Sequence, residues 1–281
     1  MNVLEIEQVC KTYPGFYLDH LNLAVPEGSI VGLIGENGAG KSTTIKLILD
    51  LLEKDEGTIK IFGEEDREKI TDLKNDIGVV LDTVGLPVML KSGQIGKVMK
   101  DAFRNWNEEQ FQSYLKMFDI PEDKKFYDMS NGTKMKLGLA IAFSHDAKLL
   151  ILDEATNGLD PIMRDKVNDI LMEYTRDEKH SVLISSHIVS DLEKLCDYIA
   201  FLHKGKLMLF EEKDILSEQY GIVHGEEDIL SQIDPALIIH RKKTPYGNEA
   251  VVKKEGLPAS VQTSPIGIED LFVIMSKEAG I

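Results

Sequence analysis

Short apolar runs that stop at a charged or small residue alternate along this chain with longer stretches whose apolar positions recur at helical spacing. Ile30 to Ile34, Gly57 to Gly63, Ile77 to Leu81, Leu149 to Leu152 and Val182 to Ser186 read as strands. Asp82, Asp153 and His187 stand immediately after three of these runs. Before the first of them, Val3 to Ile6 and Leu21 to Val25 are β-type runs, separated by Pro14-Gly15 and closed by Pro26-Glu27-Gly28. Ile45 to Leu52 has the apolar period of a helix. In the middle of the chain Ile95, Val98, Met99, Ala102 and Phe103 repeat at helical spacing, as do Phe111, Tyr114, Leu115 and Phe118. A third such stretch, Lys136 to Ser144, follows Ser130-Asn131-Gly132. These residues, about 85–145, read as a small all-helical unit inserted between strands, with the aromatic stripe as its core. Further on, Tyr198 to Leu202 and Lys206 to Phe210 are placed to pair through a Lys204-Gly205 turn. Ala236 to Ile239 and Ala250 to Lys253 are expected to form strands joined by a turn over residues 244–248, and Glu269 to Lys277 a closing helix with acids in its first turn.

The 281 residues, 43% hydrophobic and 28% charged, suffice for one large domain and a smaller one. No apolar run approaches the roughly 18 residues needed to cross a bilayer, and the N-terminus lacks a signal-peptide plan. A cytoplasmic chain is expected. Cys10 and Cys196 have no metal-ligand or redox spacing and read as buried structural thiols; the histidines likewise show no metal-site spacing. The formal charge of −16 disfavours binding to nucleic acid or anionic lipid, since the field of the whole molecule repels phosphate. Any phosphate ligand must be held by a local positive field.

Residues 35–42, Gly-Glu-Asn-Gly-Ala-Gly-Lys-Ser, can supply that field. They form a complete phosphate-binding loop between a strand and a helix, the context the motif requires. Gly38 and Gly40 let successive N–H groups approach phosphate oxygens, Lys41 reaches the β- and γ-phosphates, and Ser42 offers a hydroxyl to Mg²⁺. Gly35, Asn37 and Thr43 complete the nucleotide-contacting set. Asp153, at the end of an apolar strand, is the second metal-binding acid such a site needs, and Glu154 beside it can polarise the attacking water.

With these motifs the chain resembles the nucleotide-binding subunit of an ATP-binding cassette transporter over roughly residues 3–215. The resemblance rests on the loop at 35–42, Leu149 to Glu154, the turn Ala155 to Pro161, Ser185-Ser186-His187, and Met129-Ser130-Asn131-Gly132-Thr133 in place of the family's signature segment. It implies an α/β fold: a P-loop NTPase core with an antiparallel β subdomain, the helical subdomain at about 85–145, and a small α+β extension. The ATPase domain spans 1–215 and the accessory domain 216–281. It further implies that two cassettes, copies of this chain or related ones, pair head to tail. Each ATP then lies between the loop of one chain and Ser130 and Gly132 of the other. Tyr13 stacks on adenine, His187 contacts the γ-phosphate, and Asp160 sits at the seam. Asp82 stands where the family usually has a glutamine linking the metal and water to the membrane subunit, so it is assigned to Mg²⁺. Asn131 and Thr133 depart from the usual signature, but Asn tolerates left-handed backbone. ATP and Mg²⁺ are the implied cofactors, and separately encoded transmembrane permease subunits the implied partners. The chain would sit on the inner face of the membrane and power export of peptides, toxins or drugs; the alternatives are an ATP-gated sensor or scaffold and a soluble cassette ATPase outside transport. The tail after residue 216 resembles those of efflux cassettes and serves packing, dimer stabilisation or regulation.

Overall fold

The computed structural model describes residues 1–65, 67–244 and 247–278. Its centre is a six-stranded sheet in the order β5-β6-β7-β3-β8-β9. The strands are β3 (Ile30–Ile34), β5 (Ile77–Val80), β6 (Leu149–Asp153), β7 (Ser181–Ser186), β8 (Tyr198–His203) and β9 (Lys206–Glu212). All neighbours are parallel except β8 and β9, which pair antiparallel through the expected Lys204-Gly205 turn. β3, β6 and β7 are buried at every position, which is why they read as continuous apolar runs.

A second sheet, β2-β1-β4, is antiparallel and joins β1 (Asn2–Tyr13), β2 (Phe16–Pro26) and β4 (Glu56–Ile61). The first two strands run well beyond the expected 3–6 and 21–25, carried through β-bulges at Gln8 and His20, both at positive φ. Their inner face, Leu4, Ile6, Val9, Leu18, Leu21 and Leu23, shares one core with Leu33, Ile45 and Leu202.

After β3 the chain turns into α1 (Lys41–Ile48). This corrects the expected span of 45–52. Gly40, at φ 114°, is the N-cap, so the helix starts on Lys41, and Asp50 at positive φ follows its end. α2 (Arg67–Leu73) precedes β5. The helical block is α3 (Ser92–Ala102), α4 (Glu108–Met117) and α5 (Asn131–Ala142), the last starting five residues before the expected Lys136 because Ser130 caps it. Ile95, Phe111, Leu115 and Phe118 are fully buried here. The Trp106–Phe111, Tyr114–Phe118 and Tyr114–Phe143 ring pairs make the aromatic stripe a helix core, as expected. A Cβ on Gly96 would fall 2.5 Å from the Phe111 ring, so α3 and α4 meet there only through glycine.

α6 (Pro161–Tyr174) and α7 (Val189–Leu195) cover the central sheet. Beyond it come α8 (Lys213–Gln219), β10 (Tyr220–Gly225), α9 (Glu227–Leu230), β11 (Ile238–Thr244), β12 (Gly247–Lys253) and α10 (Ile268–Glu278). The tail sheet has the order β10-β12-β11 and its own small core of Val223, Leu230, Ile233, Ala250 and Val252. Ala236 lies in a short 3₁₀ turn rather than in β11, and Pro245 and Tyr246 of the expected turn lie outside the described residues. α10 returns to the main body. Phe272 meets Phe201 edge-on at 5.3 Å, and Ile268 N–H donates to Glu193 of α7.

Candidate functional site

The loop after β3 wraps one end of a cavity of about 630 Å³. Gly38 and Gly40 both take positive φ, at 83° and 114°. At Gly40 a side chain would also meet the Phe16 ring at 2.9 Å. Gly205 N–H donates to Ala39 O, tying the loop to the β8–β9 turn. Asn37, Gly38, Gly40, Lys41, Ser42 and Thr43 line the cavity from this side, with the N-terminus of α1 facing in. Tyr13 and Phe16 line it from the β1–β2 hairpin, their ring centroids 6.5 Å apart. Gly35 is not a lining residue. Its carbonyl accepts from Lys41 Nζ at 2.7 Å.

Lys41 is only 5% exposed, and its ammonium uses three acceptors: Gly35 O, Glu36 O at 3.3 Å, and Glu154 Oε1 at 3.1 Å. Glu154 in turn faces His187 Nδ1 through Oε2 at 2.8 Å. The three side chains thus form one chain of contacts across the cavity. Glu154 sits at φ 52°, a left-handed conformation that costs a non-glycine residue on the order of 1–3 kcal/mol. Its N–H is held by Ser185 Oγ at 3.1 Å and by Ser185 O at 3.2 Å.

Asp153 is buried and lies behind the lining residues. Ser185, its register partner across β6 and β7, donates to Asp153 Oδ1 at 2.6 Å. Asp82 follows the end of β5 and lines the cavity. Ser42, Asp153 and Asp82 offer oxygen donors only, which suits a hard divalent cation such as Mg²⁺ rather than a thiophilic one.

Ser130 and Gly132 do not line this cavity. Ser130 is exposed and caps α5, its Oγ accepting from Thr133 N–H at 3.2 Å. A Cβ on Gly132 would come within 2.9 Å of Gly158 O, so the start of α5 rests on the turn that follows Glu154. Asp160 caps α6 by accepting from Met163 N–H at 3.0 Å, a bond that holds its carboxyl below the usual carboxylate range.

Sequence reasoning missed the packing role of Phe16, the lining contribution of Asn157 and the double anchor made by Ser185. Ser185 left a signal in its place two residues before His187 at a strand end, and Asn157 in its place within the Ala155 to Pro161 turn.

Residues 18–157 match the family model described as ABC transporter. The bacitracin transport ATP-binding protein BcrA of Enterococcus faecalis is 34% identical over 209 residues, 73% of this chain and 68% of that protein. An uncharacterised ABC transporter ATP-binding protein of Bacillus subtilis, YhcH, is 30% identical over 296 residues, 98% of this chain and 96% of that protein. Among solved structures, that of an ATP-binding subunit of an ABC transporter aligns with a TM-score of 0.70 at 26% identity, covering 77% of this chain and 92% of the other.

Proposed function

Because this chain belongs to the ABC transporter family, as one of its ATP-hydrolysing cassettes, we propose that it drives export of peptide antibiotics through membrane subunits encoded separately. The observation that carries the reading is the contact chain Lys41–Glu154–His187 lining a cavity from which the exposed Ser130 is absent. Such a cavity is half a site.

In this reading adenine stacks on Tyr13, and the phosphates lie over the amides of residues 38–43. Lys41 is pre-set: when the γ-phosphate arrives it exchanges its Glu154 contact for phosphate oxygens. Glu154 Oε1 is released in that exchange and accepts the proton of the attacking water. His187, still against Oε2, keeps the carboxylate turned toward that water and reaches the γ-phosphate with its other ring nitrogen. Mg²⁺ held by Ser42 and Asp153, with Asp82 approaching directly or through water, would neutralise charge on the β- and γ-phosphates. A second cassette supplies Ser130 and the Gly132 N–H, a helix N-terminus aimed at the γ-phosphate, and Asp160 lies at the seam between the two.

Residues 1–215 carry this chemistry and 216–281 form an accessory unit, whose α10 braces α7 just beyond His187. Among the described residues no helix is long and apolar enough to cross a membrane. The permease is assigned to other chains, and the cassette to their cytoplasmic face, on the similarity to transport ATP-binding proteins. The dock is assigned to residues 87–105, where Val88, Met89 and Val98 are exposed. It continues into an apolar groove of about 400 Å³ lined by Leu51, Ile70, Val79, Leu81 and Phe103. β5, which contributes Val79, leads directly to Asp82 in the nucleotide cavity.

The similarity to a bacitracin transport protein supports a peptide cargo. The test is growth of cells carrying this chain with its neighbouring permease in the presence of bacitracin-class peptides. Resistance present with the native chain and absent with Lys41→Ala is expected. Equal resistance with Lys41→Ala would sever the reading from ATP use.

A further inference from the structure

Cys10 is 2% exposed yet belongs to none of the three apolar cores. Its neighbour Val9 faces the core, so Cys10 lies on the opposite, outer face of β1 and is covered there by polar side chains. Glu56 is its register partner on β4. On the other side β1 meets β2 at a bulge: Val9 pairs with Leu21 and Lys11 with Leu18, so Cys10 alone opposes Asp19 and His20. The left-handed backbone at His20, φ 46°, belongs to that bulge. As a result the ligand atoms of Cys10, His20 and Glu56 all lie within 4.8 Å of one another. We propose that Cys10, His20 and Glu56 form a binding site for a thiophilic divalent cation of the zinc type, separate from the nucleotide cavity and spanning the strands of the antiparallel sheet.

The donor set is one sulfur, one imidazole nitrogen and one carboxylate oxygen, a zinc combination that leaves a fourth position to water. In a tetrahedral site such atoms stand about 3.5 Å apart. Closing from 4.8 Å asks only for small rotations of His20 and Glu56, both exposed, toward a sulfur that is fixed. The surroundings of each ligand fit as well. His20 Nδ1 is 2.7 Å from Asp19 Oδ1, which keeps the Nδ1 proton and leaves Nε2 with a free lone pair. His20 N–H and Tyr17 O–H both donate to Cys10 Sγ, at 3.3 and 3.4 Å, and would continue to do so to a thiolate. The thiol itself reaches Gln8 O at 3.9 Å, and that long contact is all that binding displaces. Binding exchanges the S–H proton for the metal and releases that proton to solvent.

The probe is Co²⁺ titrated without oxygen or nucleotide into the full-length chain, stripped of metal and free of any histidine tag. One equivalent giving a thiolate-to-cobalt charge-transfer band in the near ultraviolet, bleached by Zn²⁺, is expected. Cys196 cannot imitate it: it is completely buried, and burial pushes its thiol far up. The nucleotide cavity has no sulfur and gives no such band. His20→Ala and Glu56→Gln should each weaken Co²⁺ by at least about tenfold, and Cys10→Ser should abolish the band. Because the first two residues are exposed, they decide the matter even where Cys10→Ser fails to fold. A native chain that shows no thiolate band in excess Co²⁺, or unchanged affinity in His20→Ala and Glu56→Gln, overturns the site.

Discussion

Replacing Ser185 by alanine tests the anchoring of the acid pair without touching any group assigned to ATP. The hydroxyl bonds Asp153 Oδ1 at 2.6 Å and receives the N–H of Glu154 at 3.1 Å. Asp153 is 1% exposed and Ser185 fully buried, so water cannot take the lost donor's place. A hydrogen bond to a charged acceptor contributes about 1.5–3 kcal/mol. Glu154 N–H keeps Ser185 O at 3.2 Å, so only the Asp153 side is orphaned and the loss should be near 2 kcal/mol. For a chain of this size that lowers Tm by about 4–8 °C. Asp153 is then free to rotate, so the Mg²⁺ concentration for half-maximal ATPase should rise while nucleotide binding through the loop persists. Thermal unfolding by circular dichroism and a Mg²⁺ titration of turnover read the two effects. A variant within about 0.5 kcal/mol of the native chain, the range of an ordinary surface change, and with an unchanged Mg²⁺ profile would refute the anchoring argument.

Glu154→Gln keeps the shape of the cavity but removes the proton acceptor, so turnover should fall about 10²–10⁴-fold while ATP binding survives; equilibrium dialysis beside a phosphate-release assay checks both. Asp82→Ala should weaken Mg²⁺ dependence or uncouple transport from hydrolysis, and unchanged transport, ATPase rate and Mg²⁺ titration would reduce Asp82 to a strand-end acid. His145, stacked on Phe103 at 4.0 Å, has its pKa lowered by burial, against the raising effect of its bonds to Ile141 O and Ile77 O. The folded chain thus resists a proton that the unfolded chain takes up near pH 6.5, so His145 costs stability as pH falls through about 6.5. Native Tm should fall more steeply than that of His145→Leu on going from about pH 7.5 to 5.5, and parallel slopes would count against this.

What the sequence made legible is what local pattern determines. The loop at 35–42, the runs of β3, β6 and β7, and the strand-end positions of Asp82, Asp153, Glu154 and His187 all follow from residues close together in the chain. β10 escaped because Gly221, His224 and Gly225 interrupt any alternation, and its partner β12 lies beyond α9 and β11. The roles of Ser185 and Phe16 exist only through contacts distant in sequence: Ser185 meets Asp153 across β6 and β7, and Phe16 of β2 meets Gly40 in the loop after β3. Cys10 read as a buried thiol, and it is one; that its cover is His20 and Glu56 depends on a bulge the sequence does not announce.

The central claim is that one chain holds half of each ATP site. The specific ATPase rate measured against protein concentration tests it most directly, with light scattering on the same samples to mark where the chain is monomeric. If Lys41 of one copy and Ser130 of another are both required, the specific rate should climb with concentration and level off as dimers fill. A specific rate that stays flat down into the monomeric range would contradict the shared site, and leave Ser130 as no more than the cap of α5.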